Sequence, residues 1–149
     1  MKLPPTPDDP GYKHSDITEK IIGVFYEVYN ELGFGFLESL YEEAMAIVFE
    51  SKGIGFQRQA PVQVWFSGRK IGSYDADFLV EGVVVVELKA CRTLDPSHEV
   101  QLLHYLRSTE IEIGLLLNFG PKPQVRRMAF DNSRKGISVH QRSSAANKI

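Results

Sequence analysis

The spacing of apolar positions changes period along the chain. Ile17, Ile21, Ile22, Val24, Phe25, Val28 and Tyr29 recur every three or four residues from Asp16, which predicts an amphipathic helix with Asp16 as N-cap and Gly33 as its end. After the break at Gly33-Phe34-Gly35, Leu37, Leu40, Tyr41, Ala44, Ile47 and Val48 mark a second helix running to about Lys52-Gly53. The period then drops to two. Val62, Val64 and Phe66 alternate with polar neighbours, Ser67-Gly68 supplies a turn, and Ile71 to Val80 and Val83 to Ala90 read as two further strands of an antiparallel meander. Asp95-Pro96 opens another helix, with Asp95 as N-cap, proline at N1 and Val100, Leu102, Leu103 and Leu106 as its buried stripe, ending near Ser108. Ile113 to Asn118 is a continuous apolar run suited to a strand covered on both faces, and Val125 to Phe130 reads as a last strand.

Two helices, three strands, a helix and two strands make an α/β arrangement. The helix between the meander and Ile113–Asn118 sets that strand parallel to a sheet neighbour. Residues 1–15 carry four prolines and predict a flexible arm, residues 16–132 the folded domain, and residues 133–149 a polar tail.

Asp77, Glu87 and Lys89 interrupt the most apolar part of this pattern. A carboxylate among apolar strand residues is costly unless it is paired, hydrogen-bonded or bound to a metal. Glu87 and Lys89, two apart, share a face. A two-residue turn at Glu81-Gly82 would send Asp77 to the opposite face. A three-residue loop, Val80-Glu81-Gly82, pairs Leu79 with Val83, sets Asp75 across from Glu87 and puts Asp77 diagonal to Glu87 on the same face. That register is the expectation. Carboxylates so gathered suit Mg2+, which takes one or two of them and keeps waters that substrate phosphate can replace, with the Lys89 ammonium beside the phosphate. The plainer reading of Glu87 and Lys89 alone is an ion pair on a half-exposed strand.

The chain has 149 residues, 43% apolar and 24% charged, which fits one globular domain. Its net charge of −2 gives no global attraction to nucleic acid, so such binding would fall to a local basic patch or to bound cations. Arg126 and Arg127 are candidates for that patch. The single Cys91 excludes an internal disulfide and a thiolate zinc site, and no apolar run is long enough to span a membrane. A cytoplasmic protein is expected, with a homodimer through exposed apolar positions of the first helix left open. His98 and His104 are left unassigned.

Gly35-Phe-Leu-Glu38-Ser-Leu-Tyr41 opens the second helix, and Gln101-Leu-Leu-His-Tyr105 places its glutamine and tyrosine on one helix face. In order, G-x-x-E-x-x-Y, D-x9-E-x-K and Q-x-x-x-Y resemble the GxxExxY proteins of the PD-(D/E)XK nuclease superfamily, in its RecB-like and phage-exonuclease-like branch. The resemblance spans about Ile17 to Phe130. It implies an αβββαβ core with a mixed central sheet flanked by helices and an extra N-terminal helix.

For the site, the resemblance implies that Asp77, Glu87 and the Leu88 carbonyl bind Mg2+, with Mn2+ as substitute, and that Glu38 completes the acidic cluster, through water or directly. Lys89 becomes the catalytic lysine, and Gln101 lies near it or near the nucleic-acid backbone. Tyr105 and Tyr41 join Arg126 and Arg127 as candidate nucleic-acid contacts, although tyrosines on helices are commonly core aromatics. Ala76 stands where the superfamily's name has proline, a change that bears on the path of the strand rather than on the carboxylate. The implied activity is hydrolysis of phosphodiester bonds, in DNA before RNA, by metal-activated water. The alternative is a catalytically silent module of the same fold that binds nucleic acid or a protein.

Overall fold

The computed structural model describes residues 13–135. The expected arm (its residues 1–12) and tail (136–149) lie mostly outside that range. Helices α1 (Ser15–Leu32) and α2 (Glu38–Ser51) precede strands β1 (Phe56–Phe66), β2 (Arg69–Val80) and β3 (Val84–Lys89). Helix α3 (Pro96–Ser108), strands β4 (Ile113–Phe119) and β5 (Pro123–Ala129) and a 3-10 turn, Asn132–Arg134, follow. The strands form one sheet in the order β1-β2-β3-β4-β5. Pairing is antiparallel except between β3 and β4, which α3 joins in parallel. This is the expected mixed sheet with helices on both faces and α1 as the extra N-terminal helix.

Two apolar layers hold it. Helices α1 and α2 cover one face through Ile21, Val24, Phe25, Tyr41, Met45 and Phe49, packed on Phe78, Val84, Val86, Leu88, Leu115, Leu117 and Phe119. On the other face α3 sets Leu102 and Leu106 against Val85 and Leu116. Strand β4 is buried along its whole length, as its unbroken apolar run predicts. Each fully buried side chain of this size contributes about 2 kcal/mol through the water it sheds.

Several expectations are corrected. Helix α1 begins at Ser15 with His14, not Asp16, at the N-cap, and no side chain caps it. Strand β1 starts six residues before Val62, because Phe56 to Pro61 belongs to a sheet edge where polar residues and a proline are tolerated. The β2–β3 register also differs, by two residues along β3. Val80 pairs with Val84, Leu79 with Val85 and Phe78 with Val86, so the loop is Glu81-Gly82-Val83. Both Glu81 (φ 52°) and Gly82 (φ 71°) are left-handed. A glutamate accepts that conformation here because its backbone N–H donates to the Gly55 carbonyl (2.9 Å) and its carboxylate accepts from the Gly55 N–H (2.6 Å). The expected pairing of Asp75 with Glu87 is not formed, because the ladder ends at Phe78 and Val86, and the shared face expected for Asp77 and Glu87 is lost: Asp77 turns to the α2 side and Glu87 to the α3 side.

The capping of α3 is as read. The Asp95 carboxylate accepts from the Ser97 N–H at 2.8 Å, Pro96 occupies the first turn, and His98 Nδ1 accepts from the Asp95 N–H at 3.2 Å.

Candidate active site

Past Phe78 and Val86 the strands β2 and β3 part, and side chains occupy the gap. The Leu88 N–H donates to Asp77 Oδ2 (2.8 Å), and the Asp77 N–H donates to Glu87 Oε1 (3.4 Å). In an extended strand the N–H and C=O of one residue point the same way, so the Leu88 carbonyl also faces this fork. Asp77, Glu87 and Leu88 therefore meet between two strands that no longer pair.

The fork opens toward both helical layers. On the α3 side a cavity is lined by Tyr74, Glu87, Lys89, His98, Gln101 and Tyr105. The Tyr74 hydroxyl donates to Glu87 Oε1, and its ring lies flat on Tyr105, centroids 3.7 Å apart and 6° from parallel. Gln101 Nε2 donates to the Tyr105 hydroxyl at 3.3 Å, which fixes the pair one helical turn apart on α3. Burial first, and the Asp77 charge second, push the Glu87 carboxyl up to about 7. The Tyr74 hydroxyl and the Lys89 ammonium act against that rise. Burial and the Glu87 charge in turn hold the Tyr74 phenol well above its ordinary range.

On the α2 side a second cavity is lined by Glu38, Ser39, Glu42, Gln59, Asp77 and Leu88. The G-x-x-E-x-x-Y element acquires a physical reading here. Gly35 has φ 111°, a conformation costly for other residues. Tyr41 is fully buried; its hydroxyl donates to the Gly33 carbonyl (2.6 Å) and accepts from the Phe36 N–H (3.3 Å). The tyrosine so pins the loop that delivers Glu38, the first residue of α2, to the cavity.

The structure thus gathers Glu87, Lys89, Gln101 and Tyr105 on one side of the fork, and Asp77, Leu88 and Glu38 on the other, with Asp77 and Glu87 in contact across it. Among the described residues no three His, Cys, Asp or Glu side chains form a ready cage for a metal. Glu38, Asp77 and Glu87 are spread along the fork rather than clustered. The donor set still suits a hard divalent cation. Two carboxylates and a main-chain carbonyl are the oxygen ligands such ions take, and the upward pressure on Glu87 is what a nearby cation would relieve.

Of the expected nucleic-acid contacts Tyr41, Arg126 and Arg127, the first is corrected and the other two are separated. Tyr41 has no exposed surface, and its ring stacks on Phe119 at 4.0 Å, so it is a core residue. Arg126 and Arg127, adjacent in β5, alternate to opposite faces and make no common patch. Arg126 Nε pairs with Glu99 of α3 (2.9 Å), whereas Arg127 donates to the Lys13 carbonyl (2.6 Å).

Two residues of the site have no weight in the sequence, and a third, Asn118, ends an apolar run whose last residues, Asn118-Phe119-Gly120, suit either a cleft lining or a turn. Tyr74 is one; regular alternation from Asp77 would place it on the face away from Glu87. Gln59 is another; its Nε2 donates to Asp77 Oδ1 at 3.3 Å. Asn118, fully buried, accepts from the Cys91 N–H (3.0 Å) and donates to the Cys91 carbonyl (2.9 Å) and to Gln124 (2.9 Å), fastening the segment just after Lys89 to β4. A β-carbon on Gly120 would lie 2.4 Å from the Cys91 carbonyl oxygen, so this fastening also requires glycine there.

Residues 15–128 match the family model of the PD-(D/E)XK nuclease superfamily. Among solved structures the chain is similar to SSO0001, at 17% identity and a TM-score of 0.48, covering 73% of this chain and 58% of that one. It is also similar to an alkaline exonuclease, LHK-Exo, from Laribacter hongkongensis, at 10% identity and a TM-score of 0.47, covering 91% and 80%. The chain thus spans little more than half the length of SSO0001. No curated protein matches the sequence.

Proposed function

The chain belongs to the PD-(D/E)XK nuclease superfamily, and from that premise we propose that it is a Mg2+-dependent nuclease that hydrolyses phosphodiester bonds in DNA. Asp77, Glu87 and the Leu88 carbonyl would hold the cation, with Glu38 reaching it through water and Mn2+ serving as substitute. The observation that carries this reading is the unpaired fork, where the Asp77 N–H donates to Glu87, the Asp77 carboxylate accepts from the Leu88 N–H, and Lys89 lies on the face of Glu87. A divalent cation there supplies polarisation of a phosphoryl oxygen and an activated water.

The chain's own groups have separable tasks. Lys89 steadies negative charge that builds on the phosphate as the bond breaks. Tyr74 favours the ionised form of Glu87 by donating to it, against the upward push of burial and Asp77. Gln101 and Tyr105 edge the same cavity and offer an amide and a hydroxyl to the substrate backbone. DNA follows from the resemblance of the three motifs. The binding module without turnover is the second reading, favoured by the net charge of −2 and by arginines engaged within the fold.

The test is cleavage of single-stranded and duplex DNA and of RNA with Mg2+ or Mn2+, by the wild type and by Lys89→Ala. The proposal expects DNA cleavage that depends on the metal and falls about 10³-fold in the variant, while the melting temperature stays near that of the wild type. No cleavage of any substrate, or cleavage that survives the substitution, refutes it. Tight metal-independent binding without cleavage would establish the second reading.

A further inference from the structure

Gln59 stands in a conformation that its position does not invite. Four non-glycine residues among those described have positive φ. His14 caps α1, and Ser67 and Glu81 sit in hairpin turns, where such angles are common. Gln59, with φ 46°, lies inside β1. A side chain in the left-handed region within a strand is strained, and strain persists where the surrounding structure imposes it.

The strained residue faces Asp77. The β1–β2 ladder pairs Arg58 with Phe78 and then Ala60 with Ala76, stepping over Gln59 and Asp77. Both strands change face there. Phe56 and Phe78 pack toward α1 and α2, whereas Val62, Tyr74 and Ala76 pack toward α3, although even positions of a regular strand would all point one way. The change of face brings Tyr74 onto the side of Glu87 and turns Asp77 toward the cavity that contains Glu38.

The Gln59 amide then makes use of this placement. Its Nε2 lies 3.3 Å from Asp77 Oδ1 and 3.3 and 3.4 Å from the two carboxylate oxygens of Glu42 on α2. Arg58 holds Glu42 (3.3 Å) and Glu43 (2.5 Å) from the same strand. A primary amide carries two N–H donors and no charge, so it can serve two carboxylates at once. A lysine there would neutralise Asp77 and compete with a cation, and a glutamate would repel it.

We propose that Gln59 is a positioning residue for the metal-binding carboxylate: its left-handed backbone turns the amide onto Asp77 and ties that acid to α2, the helix that carries Glu38. The inference rests on the reading of the fork as a divalent-cation site. Its signature is a conflict between stability and binding. Gln59→Gly removes both the strain and the amide, and Gln59→Ala removes the amide alone.

Thermal melts without added divalent ions, and Mn2+ titrations followed by the paramagnetic resonance of the free ion, test it on the purified full chain. Gln59→Gly is expected to melt about 4 °C above the wild type, and Gln59→Ala no higher than the wild type. Both variants are expected to bind Mn2+ about tenfold more weakly. A glycine variant that melts no higher than the alanine variant overturns the inference, as do variants that bind Mn2+ like the wild type. Wild-type protein that takes up no Mn2+ overturns the reading of the fork and this inference with it. Wild-type uptake with unaltered variants overturns this inference alone.

Discussion

On the α3 side of the fork the groups are fixed by packing. Tyr74 is stacked on Tyr105 and bonded to Glu87, and Glu87 is sunk far enough for its carboxyl to reach about 7. On the α2 side Glu38 is exposed at the start of a helix, and Asp77 is joined to Glu42 only through an amide with contacts of 3.3 to 3.4 Å. One acid of the pair is therefore held by rigid rings in a buried pocket, the other by the Leu88 N–H (2.8 Å) and a strained, longer polar relay. Tuning of charge belongs to the first side and adjustment of geometry to the second. A site that receives both a cation and a phosphate, as proposed for this one, would gain from having one preset wall and one that can give.

Substitutions on the preset wall should then read out as electrostatics. The largest effect is expected from Glu87→Gln in melts without divalent ions. The folded carboxyl titrates near 7 and the unfolded one near 4.5, so the folded state holds the extra proton between those values. Wild-type stability therefore falls as pH rises from 4.5 through 7. The amide variant escapes that loss and should be on the order of 2 kcal/mol more stable at pH 8, with no advantage below pH 4.5. An equal gain at both pH values would show that Glu87 is not strained by burial.

Tyr74→Phe should come next. The lost hydroxyl favoured the ionised carboxylate, so the acidic limb of Mn2+ binding moves to higher pH, and affinity at pH 7 falls about threefold. An unmoved limb would separate Tyr74 from the function of Glu87. The smallest effect is expected from Arg126→Ala, outside the fork. Its ion pair with Glu99 is solvent-exposed and contributes about 0.5 kcal/mol or less, to be checked by denaturant unfolding, and DNA cleavage should be nearly unchanged. A large loss of cleavage there would restore Arg126 as a substrate contact.

The division between the two walls also marks what the sequence could disclose. Helix α3 was legible to its cap, because Asp95, Pro96 and the apolar stripe all act locally. Strand β4 was legible because a run buried on both faces has a distinctive composition. The approach of Asp77 to Glu87 was legible, but with the wrong loop and the wrong facing, since the two acids turn to opposite helical layers: short-range turn rules give the left-handed place to glycine alone, and the bond from Glu81 to Gly55 lies 26 residues away in sequence. Tyr41 was legible as a motif residue but not as a buried clamp. Gln59 was hidden because it lies in the edge segment of β1 before Val62 that alternation does not reveal, and Tyr74 for a different reason. Alternation along a strand presumes an unbroken ladder, and the break at Gln59 and Asp77 reverses every inference of facing made across it. For Arg126 and Arg127 alternation along β5 does hold, and it turns the two arginines to opposite faces, so they make no single patch.

The central claim is that Asp77 and Glu87 together bind one divalent cation in the fork between β2 and β3. Titration calorimetry of Mn2+ into the wild type, Asp77→Asn and Glu87→Gln at pH 8 tests it most directly. The account predicts one site in the wild type and its loss in each variant, with the fold of both variants intact by circular dichroism. A wild type that binds no Mn2+, or a site that survives in either variant, would contradict it.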